Sequence, residues 1–261
     1  MAVLRIDWLD HVAHVVLSRP ERINALNAEL IDAIVAAARS VSERRDCRAV
    51  VLSGEGRGFC SGIDLGSLKG ASSGDERAID IVTPVAGAAN IAQHAVLQWR
   101  SLPMPVIAAV HGVAFGGGLQ LALGADIRIV HPQARLSLME TRWGLIPDMA
   151  GMVQAPALAR PDVLAELLFS ARVFDGVEAV AAGLATQVSE KPVEAALALA
   201  RTIASLSPDA IRAAKRLLNH AGDRDSLLRA EATEQAALFG RPNQREAVEA
   251  GMASRTPIFQ D

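Results

Sequence analysis

Three consecutive glycines, Gly116-Gly117-Gly118, follow a short apolar run, Val106–Val110, and open a helical pattern. Glycines at a helix N-terminus let a substrate oxygen approach bare backbone N–H groups, where the helix dipole favours negative charge. Past that helix come two carboxylates, Glu140 and Asp148, eight residues apart. Carboxylates close to a polarised oxygen can move protons. Together these parts suit chemistry through an enolate held by fixed donors. The competing explanation for the glycines is tight helix–strand packing. For Asp148 it is a helix N-cap, because Pro147-Asp148 precedes MAGMVQAPAL.

These groups must be positioned by a scaffold, and hydrophobic periodicity outlines one. Residues 3–6 and 12–17 read as strands, separated by Leu9-Asp10-His11. Asn27 is placed to cap a helix over 28–43, with Leu30, Ile31, Ile34 and Val35 on one face. A buried strand is expected at 49–52, followed by the glycine-rich SGEGRGFCSGIDLGSL. Residues 66–76 read as a surface loop, and 79–99 as mostly helical with Pro84 kinking or delaying the start. Strands at 106–110 and 126–130 flank the glycine-opened helix. This alternation is the grammar of a right-handed α/β fold. From Pro156 onward the pattern turns almost wholly helical, with candidates at 162–169, 176–182, 193–205, 208–219, 224–239 and 243–252.

Bulk properties exclude several classes. The 261 residues suffice for one large domain, or one domain with a helical appendage. A net charge of −3 and the absence of Tyr argue against nucleic-acid binding. Two cysteines, Cys47 and Cys60, cannot build a disulfide framework, so a reducing compartment is expected. No basic-then-apolar leader opens the chain, and no apolar run reaches the roughly 18 residues of a membrane span. A cytoplasmic protein follows as the expectation. The scattered histidines show no metal-ligand spacing. Gly54-x-Gly56-x-Gly58 has the wrong spacing for a dinucleotide loop, and no Gly-x-Ser-x-Gly elbow occurs.

Several segments carry a resemblance. SRPERINALN at 18–27, GRGFCSGIDL at 56–65, PVIAAVHGVAFGGGLQLALGADIRI at 105–129, METRWGLIPDMAG at 139–151 and FGRPNQREAVEAGMASRTPIF at 239–259 resemble, in order, the crotonase or enoyl-CoA hydratase/isomerase family. The resemblance implies an α/β fold: a spiral of ββα units over 1–195 with the active site, and a C-terminal helical oligomerisation region over 196–261. It also implies homotrimers, often paired into hexamers, and an acyl-CoA thioester substrate. Coenzyme A would then belong to the substrate, with no separate cofactor. By motif position, the oxyanion hole falls to the backbone amides of Ile63 and Gly117. A Cβ at 117 would crowd an approaching thioester. Arg22, Ser61, Gly62, Asp64 and Gly116 fall where substrate or coenzyme A binds, Lys69 and Arg57 being weaker candidates. Asp64 is also suited to bracing the oxyanion loop.

The acids decide the reaction. Family hydratases place one glutamate two residues after the glycine triplet, and here that position is Gln120. An amide is no acid or base, although it can orient water or a substrate group by hydrogen bonding. The second glutamate is intact as Glu140, on which the family's 3-enoyl-CoA isomerases rely. Asp148 matches an aspartate of the family's dienoyl-CoA isomerases, which carry a further aspartate where this chain has Gln120. Double-bond isomerisation of an enoyl-CoA or dienoyl-CoA is therefore expected. The alternatives are hydration of a trans-2-enoyl-CoA, with Asp148 or Gln120 in place of the missing glutamate, and acyl-CoA binding with little catalysis. Two carboxylates in a partly apolar pocket should push each other's pKa values apart. His111 is expected as a packed turn residue, Asp126 as structural, and Cys60 as a bystander.

Overall fold

The computed structural model describes residues 2–64, 66 and 79–261. The chain opens with a hairpin of β1 (Leu4–Leu9) and β2 (Val12–Leu17), turning at Asp10 with φ 53°. The helix Ala28–Glu43 follows, its first turn capped by the Asn27 side chain, which accepts from Leu30 N. Then come β3 (Ala49–Gly54), β4 (Pro84–Ala86), β5 (Ala89–Asn90), β6 (Val106–Val110), β7 (Val113–Phe115), β8 (Ile127–Val130), β9 (Arg135–Ser137) and β10 (Gln187–Val188). Six of these form one sheet in the order β1-β2-β3-β6-β8-β10, parallel from β2 onward. Every residue of β3 and β6 is buried, as parallel strands covered on both faces require.

The two faces bury different partners. Val50, Leu52, Ala108 and Val110 join Ile31, Ile34 and Trp99 in the larger core. Val12, Val51, Ile107 and Ile129 pack instead against Ala196, Ala200 and Ala204. Alanines four apart form a flat stripe, so the helix Pro192–Ala204 lies close to the sheet. This helix spans residue 195, so the sheet's cover draws on residues beyond that position.

A second layer holds the site. After β6 the chain turns at Gly112 (φ 61°), where a Cβ would sit 1.9 Å from Arg57 O. It then runs as β7, which pairs in parallel with β9. Bridges Cys60–Ala114 and Leu136–Phe174 extend this layer on either side. Each turn thus passes through the main sheet, then the second layer, then a helix, which is the expected spiral of ββα units.

Two stretches depart from expectation. Residues 79–99 are not one helix. Pro84 lies in the small β4–β5 hairpin, which turns at Gly87 with φ 58°. The helix begins only at Ile91, where Asn90 and Gln93 cap each other reciprocally. That capping box, with the missing N–H of Pro84, moves the start twelve residues later than 79. In the helical half, β10 adds a two-residue strand to the edge of β8. The surface loop expected at 66–76, and Lys69 with it, lies outside the described residues apart from Gly66.

The C-terminal helices Pro208–Leu218, Arg224–Leu238 and Pro242–Met252 fall where periodicity put them. Lys215 ties the first of them to the core. Its Nζ donates to Asp126 Oδ2 at 2.7 Å and to Met104 O at 2.8 Å, and Asp126 Oδ2 also accepts from Val106 N. Asp126 is thus structural, as expected. Removing one partner of a buried pair strands the other's charge. Lys215→Met should therefore cost about 3–5 kcal/mol, read as a lower urea midpoint, with part recovered by adding Asp126→Asn.

Candidate active site

A cavity of about 490 Å³ opens between the second layer and the segment 139–149. Most of its wall is apolar, including Ala25, Ile79, Ile81, Ala92, Phe115, Met139, Leu145 and Met149. Of the residues singled out from the sequence as catalytic, oxyanion-hole or substrate-binding, Glu140, Asp148, Gln120, Ile63, Gly117, Arg22, Ser61, Gly62, Asp64 and Gly116 line it, while the weaker candidate Arg57 does not.

One wall is built from backbone. Leu26 N donates to Gly62 O and Asp64 N donates to Leu26 O, both at 2.8 Å. Because Leu26 takes both bonds of this parallel bridge to Ile63, the N–H of Ile63 itself points the other way. Across from it, Gly116 (φ 50°) anchors its N–H on Ser137 O at 2.9 Å and leads into the helix Gly117–Leu123. A Cβ on Gly62 would lie 2.6 Å from Phe115 O and 3.7 Å from Gly117 N, so the two segments are in contact. At Gly117 the protein itself leaves little room. A Cβ there would meet Met149 Sδ at 2.7 Å and Leu26 Cδ1 at 3.0 Å, so both side chains would have to shift to admit one.

The loop before Ile63 is braced from beneath. Asn24 is fully buried, and its Nδ2 donates to the carbonyls of Glu55, Gly58 and Phe59. Arg19 donates to Ala25 O and pairs with Asp64 Oδ2 at 3.3 Å. Asp64 Oδ1 accepts from Gly66 N, so Asp64 braces the loop that carries Ile63. Ser61 Oγ donates to Arg22 O, while the Arg22 side chain is exposed at the rim. Cys60 is buried and donates to Asn24 O, and burial pushes its thiol up to about 12. It is no nucleophile at neutral pH. His111 contacts Gly56 O from the strand end and does not line the cavity.

The carboxyls complete the lining, with Glu140 against the glycine turn, where a Cβ on Gly116 would lie 3.1 Å from its Oε1. Glu140 begins a short 3-10 turn, Glu140–Trp143, and is 9% exposed. Burial raises its pKa most, and a charge on Asp148 adds to that, while the hydrogen bond from Gln120 offsets part. Its Oε2 is buried with no hydrogen-bond partner among the described residues. Asp148 is half-buried, and burial likewise raises its pKa. It is not an N-cap. The helix Gly151–Gln154 is entered from Ala150, whose own side chain offers no acceptor. Gln120 Oε1 performs that service instead, accepting from Met149 N at 2.8 Å and Gly151 N at 2.9 Å.

Gln120 Nε2 donates to Glu140 Oε1 at 2.5 Å. With both lone pairs of its carbonyl taken by backbone, this amide accepts no further hydrogen bond, and the second hydrogen of Nε2 is what it has left to offer a water or a substrate group. Sequence reasoning also missed Asn24, Arg19 and Met149. Asn24 carried one faint signal, since Asn tolerates the left-handed φ of 54° found there. Nor was the apolar run Trp143, Leu145 and Ile146 recognised as cavity wall. No cluster of three or more His, Cys, Asp or Glu side chains able to hold a metal occurs among the described residues.

Comparison with known proteins agrees with this geometry. Residues 9–261 match the profile of the family described as Enoyl-CoA hydratase/isomerase. The chain is 34% identical to mouse mitochondrial Delta(3,5)-Delta(2,4)-dienoyl-CoA isomerase over 254 residues, covering 94% of this chain and 77% of that protein. It is 32% identical to a Mycobacterium tuberculosis protein named "Probable enoyl-CoA hydratase", over 99% of both chains. A crystal structure assigned as an enoyl-CoA hydratase from Streptomyces coelicolor A3(2) superposes with a TM-score of 0.89 at 34% identity, covering 99% of this chain and 94% of that one. The chain belongs to the enoyl-CoA hydratase/isomerase family and is an enzyme of that family, which acts on acyl-CoA thioesters.

Proposed function

We propose that the enzyme migrates double bonds, with a 3,5-dienoyl-CoA as its preferred substrate and a 3-enoyl-CoA as a second. What carries this reading is the pair of burial-raised carboxyls, Glu140 and Asp148, in a mostly apolar cavity where their polar neighbour, Gln120, is not an acid. Asp148, ionised, takes a proton from C2. The electron pair runs to the thioester oxygen, which the Ile63 and Gly117 amides hold. Glu140, protonated, returns a proton to C6, and the 3,5-diene becomes a 2,4-diene. This division follows from burial, which is deeper at Glu140 than at half-buried Asp148 and makes the Glu140 charge the costlier one, so that Asp148 ionises first. For a 3-enoyl ester the returned proton goes to C4, close enough to C2 for one carboxyl to serve both.

The two shifts separate experimentally. Asp148→Asn should lower turnover of a 3,5-dienoyl-CoA by about 10²–10⁴, and that of a 3-enoyl-CoA by no more than about tenfold. Ultraviolet absorbance and mass spectrometry of the products check both. A conjugated product of unchanged mass is expected from wild type. A product one water heavier, from a trans-2-enoyl-CoA alone, would overturn isomerisation in favour of hydration, to which the hydratase-named relatives point.

Coenzyme A enters as part of the substrate, with Arg22 at the rim facing its phosphates. No resident cofactor is needed, because the shift is redox-neutral. Assembly as a homotrimer or hexamer through the C-terminal helices is supported by Leu228, Phe239 and Met252, at 52%, 67% and 86% exposure. Action in the cytoplasm fits the two unpaired cysteines. Among the described residues no helix is long and apolar enough to cross a membrane.

A further inference from the structure

We propose that Gln120 is a positioning residue whose single carboxamide fixes Glu140 and the backbone beside Asp148 together, committing the site to proton relay over water addition. The inference rests on the isomerase reading above. The direction of the amide is set by its surroundings. Met149 N and Gly151 N both point at Oε1, so the NH₂ end must face Glu140, which it meets at 2.5 Å. Gly151 makes room for this contact, because a Cβ there would lie 2.6 Å from Gln120 Oε1. Gln120 is 1% exposed, so solvent does not compete for these bonds.

One side chain therefore connects both acid/base groups. Glu140 Oε1 receives a hydrogen bond that consumes no proton, which leaves Oε2 to carry and release one. Asp148 stands immediately before Met149, whose amide the same carboxamide holds. A carboxylate at position 120 would act differently. One oxygen would suit the two backbone N–H groups, and the other would oppose Glu140 Oε1 at a separation that only a shared proton stabilises. An attacking water, for its part, must surrender a proton to an acceptor. Gln120 offers it none, because both lone pairs of Oε1 are engaged. Among the described residues, the other charged groups lining the cavity are Arg22 at the rim, Asp64, which is paired with Arg19, and Asp148.

The test compares Gln120→Glu and Gln120→Met with wild type in the full-length protein. Carbon-13 NMR of carboxyl-labelled glutamate, with Glu140→Gln identifying the resonance, follows the titration of Glu140 without substrate. Gln120→Glu should move that midpoint upward by about one pH unit or more. Gln120→Met should reduce kcat for a 3,5-dienoyl-CoA by about 10²-fold, with KM changed by less than about threefold. A Glu140 midpoint unmoved in Gln120→Glu, or a kcat of Gln120→Met within about threefold of wild type, would overturn the proposal. If Gln120→Met fails to fold, the Gln120→Glu titration decides alone. If wild type turns over neither unsaturated ester, the isomerase reading fails, and the ligand-free titration still judges the contact between Gln120 and Glu140.

Discussion

Glu140→Gln should reduce turnover of either unsaturated ester by about 10²–10⁴ while leaving affinity for a saturated acyl-CoA nearly unchanged. The replacement keeps the shape of the side chain and can still accept the hydrogen bond from Gln120, so the cavity wall stays in place. What it removes is the only titratable group on that turn that faces the substrate cavity. Steady-state kinetics with calorimetric binding of a saturated acyl-CoA separates the two effects. Lost binding with the residual turnover number intact would show that Glu140 shapes the site instead of moving protons.

The same variant carries a stability prediction whose sign follows from burial. Glu140 holds its proton to higher pH in the folded protein than in the unfolded chain. The native state therefore binds more protons across that interval, and stability falls as pH rises through it. Glu140→Gln removes this cost. Its melting temperature should exceed that of wild type at neutral pH, with the gain vanishing below the unfolded carboxyl pKa of about 4.3. A site that gives up stability for chemistry in this way is a recurrent trade.

Gly62→Ala should lower kcat by about 10²–10³ through the oxyanion wall alone. Gly62 has φ +91°, and an added Cβ would lie 2.6 Å from Phe115 O, a backbone atom that cannot swing aside. The loop must retreat, carrying the Ile63 amide away from Gly117. Gly251→Ala is the control, since a Cβ there meets nothing within 4 Å and the position is helical. It should leave kinetics unchanged and add about 0.5–1 kcal/mol of stability. Exchange of the C2 protons of a saturated acyl-CoA in D₂O reads enolate formation without any double bond. Unimpaired exchange in Gly62→Ala would show that the Ile63 amide does not hold the oxygen.

The sequence by itself determined the elements and most of the parts list. The helix Ala28–Glu43 and the strand Val106–Val110 were legible because cap chemistry and hydrophobic period are local properties. The helix expected at 79–99 failed for the complementary reason. Its apolar pattern continues through Pro84, whereas the helix start is set by the Asn90–Gln93 capping box. Sequence spacing also grouped Gly62, Gly116 and Gly117 with the carboxylates Glu140 and Asp148, and all five line one cavity.

Which atoms satisfy which was decided only by the tertiary structure. No spacing rule says that the carbonyl of Gln120 would face Met149 N and Gly151 N, because those partners lie 29 and 31 residues away. That contact turned Gln120 from a failed acid into an anchor, and it removed the need for Asp148 to cap a helix. Asn24 and Arg19 likewise acquired their bracing roles only when the spiral brought residues 55–64 over them. Burial, which sets the proton affinity of Glu140, belongs to the packed chain as a whole, so no local stretch of sequence could have disclosed it.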